Sequence, residues 1–201
     1  MGKEYERIEP RLWEFIENQK VFFVASAPLA ADGRVNVSPK GPIGTFAVLG
    51  PNQVAYLDFY GSGAETVAHL RENGRLTVMF CAFEGPPRIL RLQGTGEAVF
   101  TDDPRFDALL EQGGFDPYTI DEARRAIVVV DVDRVTTSCG YTVPLMEVTG
   151  ERPHFDLSKR KRLRTMGSEG IVAFQSERNA ASLDGLPAVP SRDVAEVPAG
   201  E

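Results

Sequence analysis

The feature that most limits this chain is a succession of strand-length apolar runs separated by short breaks, with few helical patterns between them. Residues 21–27 form a β-rich run that stops before Pro28. Ala30-Ala31-Asp32-Gly33-Arg34 has turn composition, with Asp-Gly as its strongest dipeptide. Residues 35–39 then alternate, placing Val35 and Val37 on one face and Asn36 and Ser38 on the other. The two runs predict a hairpin. Further strands are predicted at 53–59, 75–83, 87–100 and 126–136, and Gly94 and Gly96 predict a bend or bulge in the fifth. Regular strand–helix alternation is lacking, which excludes a doubly wound sheet. Six or so hairpin-linked strands favour a closed or nearly closed barrel, which hides its edges. The expected fold class is mainly β with short helices (α+β).

Helices are predicted at 9–19, 64–72 and from Asp102 to about Gln112. Two more are expected at 156–166 and 169–181. The organisation expected is a barrel domain over 1–150, a helical extension over 151–185 and an extended or disordered tail over 186–201.

The chain has 201 residues, enough for one sizeable core. Its net charge of -7 argues against nucleic acid or an anionic membrane as partner through the overall field. Two cysteines, Cys81 and Cys139, do not make a disulfide scaffold and fit a reducing compartment. The opening segment lacks a basic start followed by an apolar run, and no apolar stretch reaches membrane-helix length. A cytoplasmic location is expected.

Four segments, taken together, resemble the FMN-binding family that includes pyridoxamine 5'-phosphate oxidase. They are Arg34-Val35-Asn36-Val37-Ser38-Pro39-Lys40-Gly41, Val54-Ala55-Tyr56-Leu57-Asp58-Phe59 leading through Gly61-Ser62-Gly63 into Glu65-Thr66-Val67-Ala68-His69-Leu70, Asn73-Gly74-Arg75-Leu76-Thr77-Val78-Met79-Phe80, and Pro86-Pro87-Arg88-Ile89-Leu90-Arg91-Leu92-Gln93-Gly94. The resemblance covers about residues 8 to 135. Ser138 to Pro144 and Ser182 to Pro187 are similar to an uncharacterised bacterial branch.

The resemblance implies a split β-barrel, a homodimer, and FMN in two clefts at the dimer interface. Lys40 matches the family's flavin-contacting lysine, with Ser38 and Pro39 shaping the same wall. Leu57 and Asp58 match positions that supply backbone contacts. The family's opening basic residue on that wall falls near Val35, beside Arg34. A basic pair that holds phosphate in the family falls at Glu65 and Thr66, so the cationic clamp is thinned and Gly63 and Thr66 are left for the phosphate end. Arg91 is the preferred second cation, and Cys139 and Tyr141 are assigned to the substrate side. The altered clamp, and the lack of the family's C-terminal Trp and Arg motif, argue against true pyridoxamine phosphate oxidase activity.

Each assignment has a competing structural reading. Lys40 could be a solvated loop lysine. Ser62 and Glu65 could form a capping box, with Glu65 repelling an anion. Arg88 and Arg91, three apart, project to opposite faces and could make ordinary ion pairs. His69 and His154 are too scattered for a metal site, and no metal is expected. The run Lys159-Arg160-Lys161-Arg162-Leu163-Arg164 reads as a solvated helix.

The function expected is an FMN-dependent oxidoreductase or flavin reductase acting on a small molecule or electron donor. The alternatives are a non-catalytic flavin store or sensor, or a split barrel using deazaflavin or haem.

Overall fold

The structure is a computed structural model that describes residues 2–61, 63–115 and 121–190. Its elements are β1 (Lys3–Tyr5), α1 (Pro10–Glu17), β2 (Phe22–Ser26), β3 (Asn36–Lys40), β4 (Phe46–Gly50), β5 (Gln53–Phe59), α2 (Glu65–Asn73), β6 (Arg75–Cys81), β7 (Ile89–Phe100), α3 (Phe106–Gly113), β8 (Arg124–Ser138) and α4 (His154–Arg178). The strands form one antiparallel sheet in the order β3-β2-β6-β7-β8-β5-β4, and β1 pairs with β8.

Chain connectivity curls this sheet. Laid flat, its outer strands β3 and β4 would lie about 29 Å apart at normal strand spacing. Yet β3 ends at Lys40 and β4 starts at Phe46, and six residue steps span at most about 21 Å. The two edges are therefore drawn towards each other without pairing, which gives an open barrel. Pro39 is tolerated because β3 is an edge strand, paired to β2 alone through Phe23.

The inside of the curl holds the main core. Val24, Val54, Tyr56, Val78, Phe80, Leu90, Leu92, Val128 and Val130 are buried together, and Leu12 and Ile16 of α1 join them. The opposite faces of β5 and β8 are covered too, with Ala55, Leu57, Ile127 and Val129 packed with Phe106 of α3. Both strands read as continuous apolar runs because both of their faces are buried.

Two strands were not anticipated. β1 is short, and β4 lies in the apolar run Phe46–Gly50 ahead of the Pro51-Asn52 break, a signal that could have been read as a strand. The expected irregularity in β7 is present as a register shift between Gln93 and Gly94.

The two expected C-terminal helices run on as α4, interrupted at Gly167, whose φ of 67° departs from helix. Helix ends at Arg178, where 169–181 was expected. Beyond it the chain turns into a small hairpin with a bridge between Ala181 and Pro187. Its ladder continues in hydrogen bonds from Ala188 N to Ala180 O and from Val189 N to Asn179 O. Ala188 and Val189 are buried against Ala64, Val67 and Ala68 at the start of α2. Residues 186–189, assigned to a tail from the sequence, are thus packed down on the barrel. Residues 191–201 lie outside the described residues.

Candidate functional site

A cleft of 510 Å³ opens between the end of β3 and the start of α2, lined by Ser38, Lys40, Gly63, Thr66, Arg125 and Leu183 among others. Pro39 lines it as well. A second cavity of 410 Å³ lies between α1 and β4, against Trp13, Phe46 and Phe80. It has Glu17 and Lys20 on its wall but, among the described residues, no buried ion pair. Buried charge converges on the first.

Lys40 and Arg125, which line that cleft, both reach a carboxylate just behind its wall, that of Asp58, 4% exposed. By strand alternation it falls on the same side of β5 as Val54 and Tyr56. Lys40 Nζ donates to its Oδ1 at 3.1 Å, and Arg125 Nε to its Oδ2 at 2.7 Å. Burial alone would raise the Asp58 carboxyl. The charges and hydrogen bonds of Arg125 and then Lys40 outweigh it and hold the group below its usual value, ionised. The same environment, burial first and the Asp58 charge second, pushes the Tyr56 phenol up.

Arg125 reaches this position through a bulge. Asp58 pairs with Ala126 and Phe59 with Arg124, so Arg125 is the extra residue between them. A bulge re-aims a side chain that regular pairing would send elsewhere. Its Nη1 donates to Gly63 O and to Asn179 Oδ1, both at 3.0 Å. Asn179 is wholly buried, and its Nδ2 donates to Gly61 O at 3.2 Å.

The wall beside Lys40 is polar and hydrogen-bonded. Ser38 Oγ donates to Asn36 Oδ1 at 3.2 Å, and Asn36 Nδ2 donates to Thr66 Oγ1 at 3.1 Å. Glu65, the anticipated capping and repelling group, accepts the Leu183 N–H on both carboxylate oxygens, at 3.2 and 3.1 Å. Helix α2 has Ala64 as its N-cap, without a side-chain cap. Ser62, on which the capping box rests, lies outside the described residues. Arg34 turns to the C-terminal hairpin, where its N–H donates to Asp184 Oδ2 at 2.7 Å and its guanidinium pairs with the same carboxylate.

The remaining anticipated residues lie elsewhere. Leu57 has its side chain in the outer core, and its N–H donates to Thr45 O at 2.8 Å. Arg91 is not among the residues lining the cleft, and its Nη1 donates to Ser138 Oγ at 3.2 Å. Cys139 and Tyr141 are exposed beyond the end of β8. Arg88 lies over the Phe15 ring, 5.2 Å from its centroid. His69 is buried, with Nδ1 2.9 Å from Ser26 Oγ. Among the described residues, no group of three or more His, Cys, Asp or Glu could hold a metal.

Sequence reasoning passed over Asn36, Arg125 and Asn179. A cation at the entry to the most apolar strand was the available signal for Arg125. Asn179 carried none, because its role depends on where α4 ends. In the basic run Arg160, Lys161 and Arg164 are exposed on α4, as the solvated reading has it, and Lys159 departs from it. Lys159 is buried, donates to Tyr60 O and lies 3.4 Å from the Tyr60 ring centroid. Burial, then the charges of Arg162 and Arg125, pull its ammonium down to about 8, against an opposing push from Asp58.

Residues 8–139 match the family described as pyridoxamine 5'-phosphate oxidase. A relative from Aspergillus flavus, the pyridoxamine 5'-phosphate oxidase family protein ustO, is 42% identical over 198 residues, covering 93% of this chain and 78% of that protein. Among solved structures, HupZ of Group A Streptococcus gives a TM-score of 0.48 at 19% identity, covering 63% of this chain and 91% of its own. The FAD binding protein from Mycobacterium smegmatis gives 0.47 at 14% identity, covering 66% and 95%.

Proposed function

The chain belongs to the pyridoxamine 5'-phosphate oxidase family, and from that premise we propose that it binds FMN in the cleft between β3 and α2 and acts as an oxidoreductase or flavin reductase. The observation that carries this reading is the convergence of Lys40 and Arg125 on one buried carboxylate. Lys40 and Arg125 share the single buried carboxylate of Asp58, which leaves a local excess of positive charge there; Glu65, the cleft's second carboxylate, lies at the start of α2. Buried excess charge is costly unless an anionic partner supplies the balance. The volume of 510 Å³ is within the usual range for a small-molecule or cofactor site.

The residues divide the work by their chemistry. Lys40 offers a compact, mobile point charge to the electron-rich edge of a ring system. Asp58 holds that ammonium in place and stays ionised while doing so. Beside Lys40 on the same face of β3, Ser38 and Asn36 continue to Thr66 as a row of hydrogen-bonding groups. When bound, FMN supplies the hydride and electron chemistry, and the protein supplies orientation and electrostatics.

A dimer with clefts at its interface is part of this reading. Its support is the exposed apolar side chains on the edge strand and the segment after β8, including Val37 at 62% and Leu145 at 80% exposure. Among the described residues, no helix is long and apolar enough to cross a membrane. A cytoplasmic location is part of the same proposal, supported by two cysteines that make no disulfide scaffold.

A second reading, a flavin store or sensor, is favoured by one feature. Both carboxylates of the cleft, Asp58 and Glu65, are already engaged, so neither stands free as an acid–base group. Purified protein that carries the absorption of an oxidised flavin, releases FMN on denaturation and oxidises a reduced nicotinamide supports the enzyme. Flavin without turnover supports the store. A colourless protein that ignores added FMN overturns both.

A further inference from the structure

The C-terminal segment touches the cleft at the start of α2, where the sequence alone looks unsuited to an anion. The sequence puts an acid, Glu65, at the start of α2. In the fold both oxygens of that carboxylate accept the N–H of Leu183, from the hairpin after α4. Asp184, the next acid on the hairpin, is paired with Arg34. A cation is then supplied from another strand, by Arg125 on the β8 bulge. The hydrogens on Arg125 Nε and Nη1 are committed to Asp58, Gly63 O and Asn179 Oδ1. Among the described residues Nη2 makes no hydrogen bond, and Arg125 lines the cleft.

Asn179 fixes that orientation. It accepts from Arg125 with one end of its amide and donates to Gly61 O with the other. It thereby ties the guanidinium to the loop leading into α2, and its own place is set by the Val189 N–H on its backbone carbonyl. An amide suits this bridge because it is neutral and has both an acceptor and donors. An aspartate there would cancel the charge that Arg125 brings.

We propose that the C-terminal hairpin is a built-in part of the site, in which Asn179 is a positioning residue that presents Arg125 to the anionic, phosphate end of the ligand. The proposal rests on the FMN reading above and deepens it. It assigns phosphate recognition to a guanidinium on β8, where the start of α2 offers only Glu65 and Thr66. Guanidinium and phosphate match in geometry as well as charge.

The test uses the full chain and two probes that share a ring system, FMN and riboflavin, which lacks the phosphate. Affinities are read from quenching of flavin fluorescence, with thermal unfolding of each variant run alongside. The wild type is expected to prefer FMN. Arg125→Lys and Asn179→Ala are each expected to lower FMN affinity by about tenfold, the scale of a charge-assisted hydrogen bond, while riboflavin affinity changes less than about twofold. Because Asn179 acts through Arg125, adding Asn179→Ala to Arg125→Lys should cost nothing further in FMN affinity. A folded Asn179→Ala protein with an unchanged FMN-to-riboflavin ratio overturns the proposal. So does a wild type that binds both flavins equally. A wild type that binds neither overturns the flavin reading itself. Should Asn179→Ala fail to fold, the ratio in Arg125→Lys decides, and an unchanged value there also overturns the assignment.

Discussion

Lys40 Nζ sits 3.1 Å from Asp58 Oδ1, an ion pair that links edge strand β3 to β5 across the opening of the barrel. With Arg125 on the other oxygen, it makes Asp58 the point where three strands meet. Under the FMN reading proposed above, structural and ligand-binding roles would share one carboxylate.

Replacing Asp58 by Asn should destabilise the protein by about 3–5 kcal/mol at neutral pH, because buried Arg125 and partly buried Lys40 lose their counter-charge. Urea unfolding measures it. The Asp58 carboxyl is held below its unfolded value, so its contribution is complete above about pH 4 and fades as pH falls through the folded value. The gap between wild type and Asp58→Asn should accordingly narrow in acid. A gap independent of pH would show that Asp58 matters by shape and not by charge.

Lys159 predicts the opposite slope at high pH. Its folded value near 8 lies below the unfolded value near 10.5. Between those two values the unfolded chain binds more protons, so this group makes the fold more stable as pH rises. Lys159→Met should remove that rise without removing the fold. Unfolding midpoints of the two proteins at pH 7.5 and 10, compared pairwise, check it. The groups facing Lys159 are Arg162 on its own helix, Arg125 on β8, Asp58 on β5, and the Tyr60 and Phe155 rings.

Lys40→Ala should weaken FMN binding by about 1–3 kcal/mol, the usual loss for a charged hydrogen bond. Fluorescence titration reads it directly. An unchanged dissociation constant removes Lys40 from the site.

Gly94→Ala should destabilise by about 1–3 kcal/mol or more, as overpacking does. A Cβ at this position would overlap the Asp131 carbonyl oxygen on the neighbouring strand. Gly94 sits where the β7–β8 register shifts, so neither backbone is free to withdraw. Thermal unfolding of the variant is the measurement, and a midpoint equal to wild type would mean the ladder can open there at no cost.

Much of this arrangement was legible in local pattern. Alternation in 35–39 and the Asp-Gly turn gave the β2–β3 hairpin, because side-chain period and turn chemistry act over a few residues. Lys40 and Thr66 could be placed near one another because the family segments carry them in a fixed order. The apolar runs at β5 and β8 marked strands, and the packing of the barrel core and α3 showed both of their faces buried. Gly167 fell in the gap between the two expected C-terminal helices, since a left-handed φ is cheap only for glycine.

What the tertiary structure alone decided are the contacts between residues far apart in the chain. Asp58 and Arg125 are 67 residues apart, and Arg125 and Asn179 are 54 apart. No period or motif encodes such a meeting. It follows from a bulge in one strand, the curl of a sheet and the point at which a helix stops. Those depend on how whole surfaces pack, which no short window of sequence contains. Local chemistry fixed the strands and their turns, and long-range packing chose which charges face one another.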